Sequence, residues 1–372
     1  MLNLVLVGGG HSHSIVLKLW SKKKVSGVKV TLISNVKNTP YSGMLPEYIS
    51  GFYSYEDSHI NLVKLAEVAG IELIIDEVIN IDADKKIVSC QSGLKISFDV
   101  LSLDIGSRPE KSQIKGANLY GIPIKPIPLF LEKWHKIIDL ADNKPHDKMI
   151  LTIIGGGAGG VELALNIHHK LTKILSAENL TINLIHRGKR IISNHSLSMS
   201  KKLTKILEQN QVNIYLNEEV KSIDSQKITL FSGKNIDSDY NFLVTQACAP
   251  NWLKNSSIET DTQGFIMVKN TLQSVNYPYI FASGDIANIR DYPCPKAGVF
   301  AVKQGMPLYQ NLCNFLTKKS LTLYYPQKNY LNIIGTGNKN AVASWGNICV
   351  QSPLIWYWKQ YLDNNFMKQF PH

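Results

Sequence analysis

A chain of 372 residues exceeds the length at which a single core usually stops growing, so the sequence implies two domains and excludes a minimal module. With 44% hydrophobic and 19% charged residues, a mean hydropathy of −0.07 and no run of about 18 apolar residues, it reads as a soluble chain with no transmembrane segment. The net charge of +11 rests on lysine, 36 of the 40 basic residues, scattered along the chain, and this argues against a nucleic-acid partner.

In chain order, MLNLVLVGGG opens with a short apolar run and no basic segment before it, which points to a cytoplasmic location. The run at 2 to 7 predicts a buried strand, the glycines a tight turn, His13 to Lys24 a helix and VKVTLIS at 28 to 34 a second strand. The same order returns 147 residues later: MILTIIGGG at 149 to 157, a helix from Ala158 to Leu175, and LTINLIH at 180 to 186. Each copy is a βαβ opening in which glycines let the backbone approach a pyrophosphate and a helix N-terminus offers it free N–H groups. The second copy is complete, with Gly155, Gly157 and Gly160; the first has Gly8 and Gly10 but His13 in the third place. Two copies imply two dinucleotides, one held and one visiting. The acidic residue expected on the ribose is replaced by Ser34 in the first unit and His186 in the second. Serine can still hydrogen-bond a ribose hydroxyl; His186 with Arg187 suits a 2′-phosphate, or a site that no longer binds a nicotinamide cofactor well, or, equally, begins a solvated loop.

Further on, YPYIFASGDIANI at 277 to 289 predicts a strand ending at Gly284 and Asp285, whose carboxylate suits a polyol such as a flavin ribityl chain. PKAGVFAVKQG at 295 to 305 opens a helix at Lys296, Ala297 and Gly298, where dipole and lysine together would stabilise a reduced flavin. The five cysteines are odd in number and far apart, with no CxxC, which excludes a disulfide framework, a zinc site and a vicinal redox pair. His11 and His13 lack a third ligand, so no metal is expected. The tail PLIWYWKQYLDNNFMKQF is aromatic and basic: it packs on the protein's own surface, forms a homodimer interface, or makes a peripheral contact with the inner face of the membrane.

With these residues in place, the chain resembles the two-dinucleotide-binding-domain flavoproteins, the pyridine nucleotide-disulfide oxidoreductase superfamily. Within it the chain is similar to the type II NADH dehydrogenase-like branch, and most to the flavoprotein domain fused ahead of selenide,water dikinase in some bacteria. VGGGHSH at 7 to 13, TPYSGMLP at 39 to 46, DVLSLDIGSRP at 99 to 109, FASGD at 281 to 285, PKAGVFAVKQG and WKQYLDNNFMKQF at 358 to 370 carry the resemblance over nearly the whole chain. It implies an α/β fold of two Rossmann-like domains: an FAD domain at 1–116 and 257–325, split by an NAD(P)-binding domain at 117–256, with a C-terminal cap or interface segment at 326–372. It also implies FAD as cofactor and NAD(P)H as co-substrate. Gly8, Gly10, His11 and His13 would lie at the FAD pyrophosphate, Val78 at the adenine, Gly106 at the crossover and Asp285 on the ribityl chain. Pro40 and Tyr41 of TPYSGMLP would line the flavin ring, and Glu162 of GVELA would lie near the nicotinamide. TPYSGMLPEYIS has no cysteine pair, so disulfide reduction through a protein dithiol is not expected. The leading expectation is electron transfer from NAD(P)H through flavin to a small-molecule acceptor, a quinone or a selenium or sulfur compound. The rival is a flavin-bearing partner or sensor module with little turnover. The resemblance also implies selenide,water dikinase as a candidate partner; the dikinase is absent from this sequence, which is then either a stand-alone version or an excised domain.

Overall fold

The computed structural model describes residues 1–346 and 348–371. Near its start, β1 (Leu2–Val7) leads through Gly8 to Gly10 into α1 (His11–Lys22), followed by β2 (Val28–Ser34), the short α2 (Leu45–Ile49), β3 (Glu72–Ile75) and β4 (Val100–Leu103). The second unit has β5 (Gly121–Pro123), α3 (Ile127–Asn143), β6 (Met149–Ile154), α4 (Ala158–Leu171), β7 (Leu180–His186), β8 (Asn213–Leu216) and β9 (Tyr240–Leu243). The chain then returns to the first sheet with β10 (Ile280–Ala282) and α5 (Gly298–Leu316).

These strands make two parallel sheets of the same design, with orders β10-β4-β1-β2-β3 and β5-β9-β6-β7-β8. Leu4 stands opposite both Val30 and Val100, and Leu151 opposite both Ile182 and Tyr240. Parallel strands covered on both faces need near-continuous apolar sequence, and LVLV and LTII supply it. Leu4, Leu32, Leu101 and Phe281 centre one core, and Leu151, Leu184, Phe130 and Phe242 the other. Each is worth about 1.5–3 kcal/mol of burial.

In both sheets the order reverses beside the first strand of the unit, where a crevice opens at the carboxyl ends of the strands. The backbone needs glycine there. Gly8 has φ +92° and a Cβ on it would strike the Asp104 carbonyl; Gly155 has φ +125° and its Cβ would strike the Val244 carbonyl. The two loops thus turn against equivalent neighbouring strands, which is why the repeat appears in the sequence.

A third layer follows: β11 (Asn332–Gly335), β12 (Ala341–Trp345) and β13 (Ile348–Ser352), all antiparallel, then α6 (Pro353–Met367). The expected cap, 326–372, is described apart from Asn347 and His372. The Ser352 hydroxyl caps α6 by accepting from the Leu354 N–H at 3.1 Å. The inner face of α6 carries Trp356, Lys359, Asp363, Phe366 and Met367, while Leu354, Tyr357, Trp358 and Tyr361 face outward. Phe366 stacks on Tyr41 at 4.5 Å between ring centroids, so the last helix packs directly on the TPYSGMLP loop.

Candidate active site

At the carboxyl ends of the first sheet lies an open cleft. Of the residues expected there, Gly8, Gly10, His11, Ser34, Pro40, Val78, Gly106, Asp285 and Gly298 line it. Tyr41 stands behind the wall between His11 and Phe366, its hydroxyl bonded to Asp363. Gly284 and Ala297 sit just outside: the Gly284 amide donates to Gln304 Oε1 at 2.7 Å, and Ala297 is the residue from which α5 starts.

Three expectations need correction. His13 lies under the loop and not on its open side. Its ring is fully buried, with Nδ1 2.7 Å from the Gly8 carbonyl and Nε2 2.8 Å from the Ser102 hydroxyl. A carbonyl only accepts, so Nδ1 carries the proton and Nε2 accepts from serine. Burial holds this ring neutral, at a pKa of about 4. The histidine fills the space beneath the turn that a third glycine would have left. Lys296 points away from the cleft: its ammonium donates to the Ala287 carbonyl at 2.5 Å and lies 4.1 Å from the centroid of the Phe265 ring. Two residues ahead of α5, it sits in a bend from which the side chain reaches that carbonyl. Ser34, although in the wall, spends its hydroxyl on the backbone of Val36, donating to O at 2.9 Å and accepting from N at 3.3 Å. Lys296→Met is accordingly expected to leave the flavin midpoint potential unchanged, as spectroelectrochemical titration of the variant and parent would read.

Asp285 was expected, but the groups that set its charge and the second carboxylate of the cleft were not singled out in the sequence. The Lys125 ammonium reaches Asp285 Oδ2 at 2.6 Å, and the Ser107 hydroxyl donates to the same oxygen at 3.0 Å. Burial alone would raise the Asp285 carboxyl; the lysine and these hydrogen bonds outweigh it and hold the group below its ordinary range. Asp104 also lines the cleft and accepts from the His13 N–H at 3.0 Å, closing the first turn of α1 with a side chain from β4's end. Burial, with the nearby Asp285 charge, pushes Asp104 up to about 7. His11 is held down to about 4 by burial, its Nε2 3.2 Å from the Ser42 hydroxyl. Asp104 had a signal in LDIG, a strand running into glycine like the other two loops. Lys125 had none, since its position depends on how β5 sits beside the first sheet.

In the second unit, Gly157 starts α4 at φ −75°, and a Cβ there would meet nothing within 4 Å. Gly160 packs so tightly that its Cβ would strike the Gly155 carbonyl, which accounts for the third glycine of this copy. His186 is a further correction: its ring lies beneath the loop, accepting at Nδ1 from the Gly156 N–H at 3.2 Å, with Nε2 buried and without a partner. It shapes the loop and does not reach outward, and Arg187 is hydrogen-bonded to Gln246 at 3.2 Å. Glu162, one turn into α4, accepts from the Gly335 N–H at 2.9 Å and joins Glu47, Lys359 and Asp363 beneath the TPYSGMLP loop.

The cleft fits an FAD-like dinucleotide on its own geometry. Gly106, at φ +68°, has open space where a Cβ would be, so the backbone can be approached closely there. One wall carries loop amides at a helix start, and the others carry an ionised carboxylate and the cations Lys125 and Arg108. That set suits a pyrophosphate joined to a polyol. The family model described as pyridine nucleotide-disulphide oxidoreductase matches residues 2–311. The chain belongs to this family. It is an FAD-dependent NAD(P)H oxidoreductase, NADH dehydrogenase-like in its relatives. The NADH dehydrogenase-like protein YutJ of Bacillus subtilis (strain 168) is 24% identical over 375 residues, covering 100% of this chain and 99% of that protein. Among solved structures, the sulfide:quinone oxidoreductase of Aquifex aeolicus has a TM-score of 0.82 at 18% identity, over 100% of this chain and 92% of that one. NDH2 from Plasmodium falciparum in complex with NADH also has 0.82, at 16% identity, over 99% and 97%. The oxidoreductase fold of these two neighbours therefore extends through the C-terminal layer of this chain.

Proposed function

We propose that the first cleft holds FAD and that the α4 loop receives NAD(P)H, with a quinone as the electron acceptor. Gly8, Gly10 and His11 bind the pyrophosphate, Asp285 and Lys125 the ribityl and phosphate region, and Val78 the adenine by its backbone. Gly155, Gly157 and Gly160 receive the nicotinamide dinucleotide. On this reading the FAD domain is residues 1–116 and 257–325, interrupted by the NAD(P)-binding domain, 117–256. The bound flavin supplies the redox chemistry; the chain orients it and shields it from water. The observation that carries the reading is the pair of matching glycine turns, one at the switch point of each parallel sheet.

A quinone acceptor is supported by two features. No cysteine lines the cleft among the described residues, which leaves a thiol without a reaction partner there. The outer face of the last layer exposes Trp345, Leu354, Tyr357, Trp358 and Tyr361, an aromatic surface suited to a membrane interface. No helix among the described residues is long and apolar enough to span a bilayer, so such contact would be peripheral. A selenium or sulfur acceptor, and association with selenide,water dikinase, rest on the sequence resemblance alone. Anaerobically reduced protein is expected to float with anionic liposomes and to be reoxidised by quinone dissolved in them. Flotation without reoxidation would remove the quinone, and failure to float at low salt would remove the membrane contact.

A further inference from the structure

Beneath the TPYSGMLP loop, four charged side chains meet from three helices. Lys359 of α6, 7% exposed, donates to Glu47 Oε2 at 2.7 Å, to Asp363 Oδ2 at 2.9 Å and to the Gly43 carbonyl at 2.6 Å. Glu47 of α2 is 1% exposed, and its Oε1 has no hydrogen-bond partner. Glu162 of α4 lies close by: a Cβ added at Gly335 would be 2.5 Å from Glu47 Oε1 and 3.5 Å from Glu162 Oε1, so the two oxygens flank the same point. The Tyr41 hydroxyl bonds Asp363, and the Tyr53 hydroxyl is buried nearby without a partner. Among the described residues, the ionisable groups gathered here beside Glu47 are Lys359 and Asp363 from α6, Glu162 from α4, and Tyr41 and Tyr53 from the loops around α2. Gly43 adjoins Ser42 in the cleft wall, so the group lies directly behind that wall.

Three carboxylates share one ammonium here. One ammonium can balance only one of the three negative charges that full ionisation would place in this dry site, and a site with such an excess retains a proton. We propose that Glu47 and Glu162 are a redox-linked proton site, a carboxylate pair that holds one proton and takes up a second when the adjacent cofactor becomes negatively charged. The proposal rests on the cleft being the flavin site. A hydride leaving NAD(P)H carries two electrons and one proton to the flavin and leaves NAD(P)⁺. The added negative charge is then balanced by a solvent proton that forms an O–H bond on the pair, and reoxidation returns it. Burial raises both glutamates, and the Lys359 ammonium opposes but does not overcome it; Glu162 is pushed up to about 8. Lys359 and Asp363 are positioning residues that hold the pair together and set its charge.

The test has two arms. In apoprotein at neutral pH, infrared difference spectra should contain a protonated-carboxyl band that Glu47→Gln and Glu162→Gln each remove to the same extent as the double variant. Independent protons would give partial, additive losses and overturn the pair. In FAD-loaded protein, the flavin midpoint potential should fall with pH about 30 mV per pH unit more steeply in the parent than in the Glu47→Gln, Glu162→Gln double variant across pH 7 to 9, one extra proton per two electrons. Equal slopes would overturn the redox linkage. If no FAD binds, the cofactor assignment fails while the infrared arm still reads the pair. Should the glutamine variants not fold, Lys359→Met serves instead: loss of the ammonium should carry the carboxyl band to higher pH, and an unmoved band contradicts the proposal.

Discussion

Gly157→Val is expected to slow flavin reduction by NAD(P)H by at least about 100-fold, equivalent to about 2.7 kcal/mol, while the flavin stays bound. Gly157 is the residue from which α4 starts, at φ −75°, so valine enters an allowed backbone conformation and costs the fold little. Its side chain would project into space in which nothing lies within 4 Å. That open space beside unpaired helix N–H groups is where a pyrophosphate belongs. The first cleft belongs to the other sheet and is untouched, so the absorbance of bound FAD should not change. Anaerobic stopped-flow mixing with NADH and NADPH reads the effect, and bleaching as fast as the parent would show that the second loop is not the nicotinamide site.

The second large effect is on FAD itself. Asp285 lies at the cleft edge, its side chain 11% exposed and ionised, held by Lys125 at 2.6 Å and Ser107 at 3.0 Å. Asp285→Ala removes an ionised acceptor from that wall and leaves the Lys125 ammonium without its counter-charge. A hydrogen bond to a charged group contributes about 1.5–3 kcal/mol, so FAD affinity is expected to fall about 10- to 150-fold. Fluorescence titration of apoprotein with FAD measures it. Tighter binding in the variant would mean that Lys125 turns to the phosphates when released, and that Asp285 opposes the cofactor.

How much of this was legible in the sequence depends on how local the physics is. An apolar run, a glycine turn and a helix repeat form one contiguous pattern, so both βαβ units and the fold class follow from reading along the chain. The glycines at 8 and 155 announce their turns because no other residue takes φ +92° or +125° against a neighbouring carbonyl. Side-chain direction is a different matter. Lys296 turns to the Ala287 carbonyl and the Phe265 ring, partners that the fold brings to it. The histidines at 13 and 186 occupy positions of a dinucleotide motif, yet each ring folds under its own loop to bond backbone there.

The C-terminal helix shows the same boundary. Its aromatic, basic composition was plain, but the inward face holds a lysine and an aspartate while tyrosines and a tryptophan stay outside. Burying Lys359 is tolerable because Glu47, 312 residues earlier, supplies its counter-charge. Nothing near residue 359 in the sequence announces that partner. Lys125, joined to Asp285 across 160 residues, was missed for the same reason.

The central claim, that one cleft holds a flavin and a second loop delivers hydride to it, is tested most directly by anaerobic stopped-flow mixing of the FAD-loaded protein with NADH or NADPH. The account predicts that the oxidised-flavin absorbance bleaches in the parent with a rate that saturates as nicotinamide concentration rises, and that Gly157→Val abolishes the saturable phase. Fully loaded parent protein that stays yellow with both nicotinamides would contradict it, and would leave a flavin-bearing module with no hydride donor at its second loop.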